Sequence, residues 1–233
     1  MQGRTGDELR VLAEECGLID RIGRMVLTDA CRRAADWNGP RAAGLAPLPV
    51  TVHVSARQVL APGFVTTLGE TVAGGGLSPA LVQVGLDEAT FADPRVRSSE
   101  LARRLAGLGV PIVLAGFGLR HGALALLKEV RPAVVKLHGA VAVADAGDDG
   151  DRAVVEAVAN VAGVLGTMVV VDGVETPEQL SVLRRLGVGH VQGHLFRPPV
   201  EAGELDALAV GRRVVLSHGT GLVLRARAAR IGA

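Results

Sequence analysis

Aromatic side chains are scarce in this chain of 233 residues: phenylalanine and tryptophan together make up 2%, and tyrosine is absent. Hydrophobic residues nevertheless account for 48% of the sequence, so valine, leucine, alanine and isoleucine must fill the interior. A filling of this kind is typical of parallel strands that are buried on both faces. The composition therefore favours a fold built on a parallel sheet.

Long apolar runs and an excess of one charge are also missing. No stretch of about 18 consecutive apolar residues occurs, and charged residues within the first fifteen positions interrupt any signal-peptide core. The formal net charge of +1 gives no general attraction for nucleic acid or for an anionic membrane. We therefore expect a soluble, cytoplasmic protein without a nucleic-acid or membrane partner.

Cysteine and lysine are rare as well. Cys16 and Cys31 lack the close spacing of a metal-binding pair, and we interpret them as reduced thiols. Lys128 and Lys136 are the only lysines, so 23 of the 25 basic residues are arginines. Because lysine is so rare here, a lysine within a candidate site is informative.

What the sequence does contain is a regular alternation of apolar runs and helix-like segments. One N-terminal helix is predicted to end before residues 38–40, and a second is stopped by three glycines at 74–76. The predicted strands lie at 50–54, 81–86, 111–115, 133–137, 168–172 and 188–192, with helix-like segments near 96–107, 121–129, 151–165 and 177–186. This alternation predicts right-handed crossovers and a parallel sheet, either doubly wound or part of a (β/α)8 barrel. The lack of GxGxxG after the first strand disfavours a dinucleotide-binding fold.

The segment DGVETPEQLSVLRRLGVGHVQGHLFRPP, residues 172–199, resembles the closing part of the EAL domain, a family of bacterial cyclic di-GMP phosphodiesterases. Further matches are AEECGLIDRIGRMVLTDACRRAADW, VHVS at 52–55, PALVQVGLDE at 79–88, GFGLRHGAL at 116–124 and VVKLH at 134–138. The resemblance covers roughly residues 10–200 and implies an α/β, TIM-barrel-like EAL fold. Because the Glu-Ala-Leu segment has no counterpart, we expect an incomplete or modified barrel that lacks the first strands.

The resemblance also implies a division of the chain. Residues 1–210 would form the EAL-like domain, and residues 211–233 a tail that completes the barrel or forms an interface. Open strand edges must be covered, and we expect tail strands at about 213–217 and 222–226, or a second copy in a homodimer, to cover them.

In the family, oxygen ligands at the carboxyl ends of the strands hold two divalent cations, usually Mg²⁺ or Mn²⁺. The family-equivalent metal positions here are His53, Gly85, Ala115, Gly116, His138 and Asp172. Most of them have lost the hard oxygen ligand that such cations need to activate water. We therefore expect a protein that is not an enzyme and that holds no metal cofactor.

Three remnants of the family site are Lys136, Glu175 and Gln192, and Glu88 matches a further family glutamate. The family lysine positions the attacking water; alternatively, Lys136 forms a buried ion pair with Asp172 or with Glu175. Glu175 either steadies a loop, as in the family, or is an ordinary carboxylate at a helix entry. We expect Thr176 to cap a helix that starts at Pro177, with Gln179 at the capping-box position.

Histidines follow several predicted strands, the place where barrels build their sites, at positions 53, 121, 138 and 194. Imidazole favours Zn²⁺ over Mg²⁺, so His53, His138 and Asp172 are a candidate replacement metal site. The alternative is that these histidines are ordinary polar residues of the barrel rim.

These observations lead to three functional hypotheses. The first is a catalytically inactive EAL-like domain that acts as a signalling or protein-interaction module in cyclic di-GMP-related regulation, with a protein partner of unknown identity. The second is a non-catalytic cyclic di-GMP receptor, and the third a residual or rebuilt metal-dependent phosphodiesterase. Because the acidic metal bed and the arginine-containing segment after the Glu-Ala-Leu motif are absent, we do not expect cyclic di-GMP binding.

Overall fold

A computed structural model describes residues 6–39, 47–117, 123–138, 149–210 and 223–224. Within these ranges the helices are α1 (Gly6–Glu15), α2 (Ile19–Asn38), α3 (Ala56–Leu60), α4 (Phe64–Gly74), α5 (Glu88–Phe91), α6 (Ser98–Gly107), α7 (Ala123–Val130), α8 (Asp149–Val164), α9 (Pro177–Arg185) and α10 (Ala202–Val210). The strands are β1 (Val50–His53), β2 (Val82–Asp87), β3 (Ile112–Phe117), β4 (Val134–His138), β5 (Met168–Asp172) and β6 (Val223–Leu224). None of the helices in these ranges is long and apolar enough to cross a bilayer.

The strands form one sheet in the order β5-β4-β3-β2-β1-β6. Strands β1 to β5 are parallel to their neighbours, and each pair is connected through helices, as the alternating sequence pattern predicts. The predicted α/β class with a parallel, barrel-like sheet is therefore confirmed.

Strand β6 belongs to the tail and differs from the others in direction. It pairs antiparallel with β1, and Val50 lies opposite Leu224 in the register. A tail strand thus covers the β1 edge. The other predicted tail strand, at 213–217, lies outside the described residues, and the division of the chain at residue 210 stays a prediction.

Two predicted elements differ from the structure. The single N-terminal helix is divided into α1 and α2 by Gly17, whose φ of +69° is a left-handed conformation that glycine adopts without strain. The predicted strand at 188–192 is reduced to one parallel bridge between Val171 and Val191. Glycines at 187, 189 and 193 surround this segment, and glycine is a poor strand former.

The two faces of the sheet have different environments because successive side chains on a strand point to opposite faces. On one face, Val84 and Leu86 of β2 belong to a core shared with α2, α4 and α6. On the other face, Val113, Val134 and Val170 form a small separate apolar cluster. We call this second face the inner face. On it, toward the carboxyl ends of the strands, lie five of the residues that the family resemblance singles out: His53, Gly85, Ala115, Lys136 and Asp172.

A candidate site at the carboxyl ends of the strands

Strand register places the candidate residues at one edge of the sheet. His53 at the end of β1 pairs with Gly85 of β2, and His138 at the end of β4 pairs with Asp172 of β5. Parallel strands end at the same edge, so these residues surround the mouth of the barrel-like fold, where such folds carry their sites. The sequence-based placement of the candidate site is consistent with this arrangement.

His53 and Gly85 are in close contact across β1 and β2. A Cβ atom built on Gly85 would lie 2.8 Å from Nδ1, 2.9 Å from Cε1 and 3.0 Å from Cγ of His53. The imidazole therefore lies over the backbone at the position where the family carries a glutamate. The two departures from the family pattern are sterically coupled, since a side chain at position 85 requires the ring to move.

The third strand contributes no ligand at its two family metal positions. Ala115 is buried, and Gly116 follows it with a left-handed φ of +63°, next to a register shift between β3 and β4. Neither side chain offers an oxygen atom, and His53 offers imidazole nitrogen, which hard cations disfavour. The residues at these positions do not fit a pair of Mg²⁺ or Mn²⁺ ions.

Lys136 and Gln192 are brought together on the inner face. The Lys136 side chain is only 5% exposed, and its Nζ donates a hydrogen bond of 3.0 Å to Oε1 of Gln192, which is 4% exposed. Gln192 was not among the partners expected from the sequence, which were Asp172 and Glu175; a pair with Asp172 stays a prediction. Among the described residues, Glu175 is exposed and forms no ion pair with the lysine.

The loop that carries Gln192 is locked to the end of β5 by backbone hydrogen bonds. Gln192 N donates to Val171 O (2.7 Å), and Val174 N donates to Gln192 O (2.9 Å). Gly193 permits this approach, because a Cβ atom there would overlap the backbone of Val174. Sequence analysis overlooked Gly193; its position directly after a candidate site residue was the available signal.

Glu175 precedes a helix whose predicted capping box is present. Thr176 Oγ1 accepts a hydrogen bond from Gln179 N, and Gln179 Oε1 accepts from Thr176 N (3.0 Å) and Glu175 N. The capping prediction is confirmed. The exposed carboxylate of Glu175 lies at the helix entry, which agrees with the simpler of its two interpretations.

The replacement metal site lies partly outside the described residues. In the part of the chain that the structure describes, no three His, Cys, Asp or Glu side chains form a potential metal-binding group. The side chain of His138 lies outside that part, so the combination of His53, His138 and Asp172 stays a prediction. His121 also lies outside it, and His194 is exposed after the last bridge.

Asp93 and Cys31 are among the groups whose pKa values are shifted in the fold. The Arg95 guanidinium donates to both carboxylate oxygens of Asp93 (Nε–Oδ1 3.0 Å, Nη2–Oδ2 2.6 Å) and lowers the pKa of that carboxyl to about 2. Burial raises the pKa of the Cys31 thiol, because desolvation disfavours the thiolate.

The comparisons with known proteins settle the family. The EAL domain profile matches residues 5–199. This chain belongs to the EAL domain family. The resemblance inferred from the sequence motifs is thereby confirmed.

MucR of Pseudomonas aeruginosa, named a bifunctional diguanylate cyclase/cyclic di-GMP phosphodiesterase, is 31% identical to this EAL domain over 203 residues. The match covers 87% of this chain but only 29% of MucR. Among solved structures, the MucR phosphodiesterase in complex with c-di-GMP has a TM-score of 0.76, 30% identity and 85% coverage of both chains. The FimX EAL domain of Pseudomonas aeruginosa bound to c-di-GMP has a TM-score of 0.74, covers 84% of this chain and 77% of that one, and at 21% identity supports the fold alone.

These complexes correct one expectation. The expectation that this domain does not bind cyclic di-GMP is contradicted, because a 30% identical EAL domain holds this nucleotide in its structure. Loss of metal ligands does not imply loss of the nucleotide site, since hydrogen bonds and apolar contacts also hold a ligand of this size. The comparisons give no support to the predicted protein partner or homodimer.

Proposed function

We propose that this EAL domain binds cyclic di-GMP at the carboxyl ends of its strands without hydrolysing it, and so acts as a non-catalytic receptor in cyclic di-GMP signalling. The observation that carries the proposal is a contrast within the inner face. At the metal positions of the first three strands, the family ligands are replaced by His53, Gly85 and Ala115, and the His53 ring lies over Gly85. The buried pair of Lys136 and Gln192, in contrast, is retained.

Hydrolysis of a phosphodiester near pH 7 needs a hydroxide, and a bound metal supplies it by lowering the pKa of water from about 15.7 to about 7. With most of the oxygen ligands for the cations replaced, this route is lost. Binding has different requirements, since the ammonium group of Lys136 can neutralise a phosphodiester charge directly. The complex of the MucR phosphodiesterase with c-di-GMP supports a nucleotide site in this domain.

Calorimetric titration with cyclic di-GMP, in Mn²⁺ buffer and separately in EDTA, tests the proposal. We expect micromolar binding of similar strength in both buffers, and no linear dinucleotide product by chromatography after overnight incubation. Hydrolysis that the chelator abolishes would show an active phosphodiesterase. An absence of binding in both buffers would show that the domain is not a receptor.

A lysine pair provides a matched control. Lys136→Met should weaken cyclic di-GMP binding about tenfold to a hundredfold, because a hydrogen bond to a charged group contributes roughly 1.5–3 kcal/mol. Lys128→Met, at the exposed lysine of α7, should leave the affinity unchanged. Equal effects of the two substitutions would contradict a role for Lys136 at the site.

A further inference from the structure

A cavity of about 260 Å³ lies behind the candidate site, between the sheet and helices α2, α3 and α4. Its floor is apolar and includes Val52, Val84 and Leu68, which are buried core residues of β1, β2 and α4. The volume is slightly below the ~300–1,000 Å³ typical of pockets for drug-sized ligands. The cavity is therefore suited to a smaller molecule with an apolar body.

One polar side chain in the wall is nine-tenths buried. Gln58 is 8% exposed, and its Oε1 accepts the 3.0 Å hydrogen bond from Ser55 N in the capping box of α3. A backbone N–H must donate to the oxygen, so this bond fixes which end of the amide is Nε2. That nitrogen lies beside Gly23, where a Cβ atom would overlap it, and both residues line the cavity.

The Gln58 amide nitrogen therefore presents its hydrogens at the cavity. Across the described ranges, it donates to no protein acceptor. This nitrogen lacks a protein acceptor in those ranges, and a ligand carbonyl or carboxylate would supply one. The conformation of this side chain favours an acceptor group on the bound molecule.

The rim of the cavity carries one charge of each sign. Asp20 and Arg24 lie one turn apart on α2, a spacing at which opposite charges commonly pair. Their side chains form no ion pair or hydrogen bond with any residue in the described part of the chain. Both charges are available to a ligand that itself carries one positive and one negative group.

We propose that this cavity binds a small apolar α-amino acid. The carboxylate would accept from Gln58 Nε2 and Arg24, the ammonium group would lie near Asp20, and the aliphatic side chain would pack on the valine and leucine floor. This site is separate from the mouth of the barrel-like fold and does not depend on the proposed nucleotide binding.

The test is an NMR titration of the whole ¹⁵N-labelled chain with L-leucine, followed at the side-chain amide of Gln58. We expect a saturable shift with a dissociation constant of roughly 0.1–10 mM, given the few atoms of the ligand. Two analogues separate the polar contacts: 3-methylbutylamine lacks the carboxylate, and 4-methylpentanoate lacks the ammonium group. Each should bind at least about fivefold more weakly, because each loses one charged contact.

Three substitutions assign the contacts. Gln58→Glu keeps an oxygen for the cap of α3 but removes the donor, and should weaken leucine binding about tenfold or more. Arg24→Gln should weaken it about two- to fivefold, as expected for an exposed ion pair. Arg21→Gln is the matched control on the same helix and should change nothing.

Three results would overturn the proposal. They are no saturable shift with leucine, analogues that bind as well as leucine, and an Arg21→Gln effect equal to that of Arg24→Gln. Thermal melting checks that each variant folds. The analogue series uses the unaltered protein, so it decides the question even where Gln58→Glu fails to fold.

Discussion

The contact between His53 and Gly85 makes a quantitative prediction about stability. Gly85→Ala introduces a methyl group 2.8–3.0 Å from three ring atoms, closer than the ~3.5–4.0 Å of ordinary carbon contacts. The backbone of Gly85 does not have positive φ, so alanine is compatible with its conformation. Any loss of folding stability in Gly85→Ala therefore comes from the contact of the methyl group with the His53 ring.

The magnitude follows from two opposing effects. Overpacking a tight contact costs about 1–3 kcal/mol, and we expect the lower half of that range because His53 is exposed and can rotate toward solvent. Replacing glycine by alanine at a compatible position returns about 0.4–1 kcal/mol through the unfolded state. The single substitution should therefore destabilise by up to roughly 1.5 kcal/mol, whereas in a His53→Ala background it should stabilise slightly.

A double-mutant cycle with Gly85→Ala and His53→Ala measures this difference. Urea unfolding can be followed by the fluorescence of Trp37, the only tryptophan, which is 1% exposed and donates to Asp206. We expect a coupling energy of about 1–2 kcal/mol. Gly163→Ala on α8, where a Cβ meets nothing within 4 Å, is the control and should add independently. A coupling below about 0.5 kcal/mol would show that the ring does not lie over Gly85.

Three further predictions concern other parts of the chain. Gly193→Ala should lower the free energy of unfolding in urea by more than about 3 kcal/mol, because the added methyl group would overlap the backbone of Val174. An unchanged urea midpoint would contradict the close contact between Gly193 and Val174. Exposed Cys16 should react with a thiol reagent much faster than Cys31, whose burial raises its pKa, and equal rates would refute that burial. Asp93 has a pKa of about 2 in the folded protein, so its ion pair should stabilise the fold at pH values above the unfolded pKa near 3.8, and this stabilisation should be lost as the pH falls toward 2. A side-chain NMR titration with a midpoint near pH 3.8 would exclude the ion pair.

Local rules in the sequence predicted the elements whose interactions are local. The capping box of Thr176 and Gln179 depends on residues three positions apart. The strands β1 to β5 are buried, and each is therefore visible in the sequence as a short apolar run. The family motifs placed the candidate residues at one sheet edge for a similar reason, because parallel strands share their direction. These features could be read from short segments alone.

Features that depend on distant residues could not be predicted in this way. The contact of His53 with Gly85 joins positions 32 apart, which the register of β1 and β2 brings together. Gln192, which accepts a hydrogen bond from Lys136, lies 56 residues away, and no short-range pattern links the two positions. In the wall of the cavity beside α2, Gly23 contacts Gln58, which lies on a different helix. A glycine inside a predicted helix was the one available signal for such a close approach.

The burial of Lys136 also has a practical consequence for conjugation chemistry. Since the chain has two lysines and Lys136 is 5% exposed, an amine-reactive reagent meets Lys128 on α7 as its one accessible lysine side chain, besides the terminal amine. At mildly alkaline pH a dye or biotin group would therefore attach at few positions, and tethered molecules would present a nearly uniform orientation to a sensor surface.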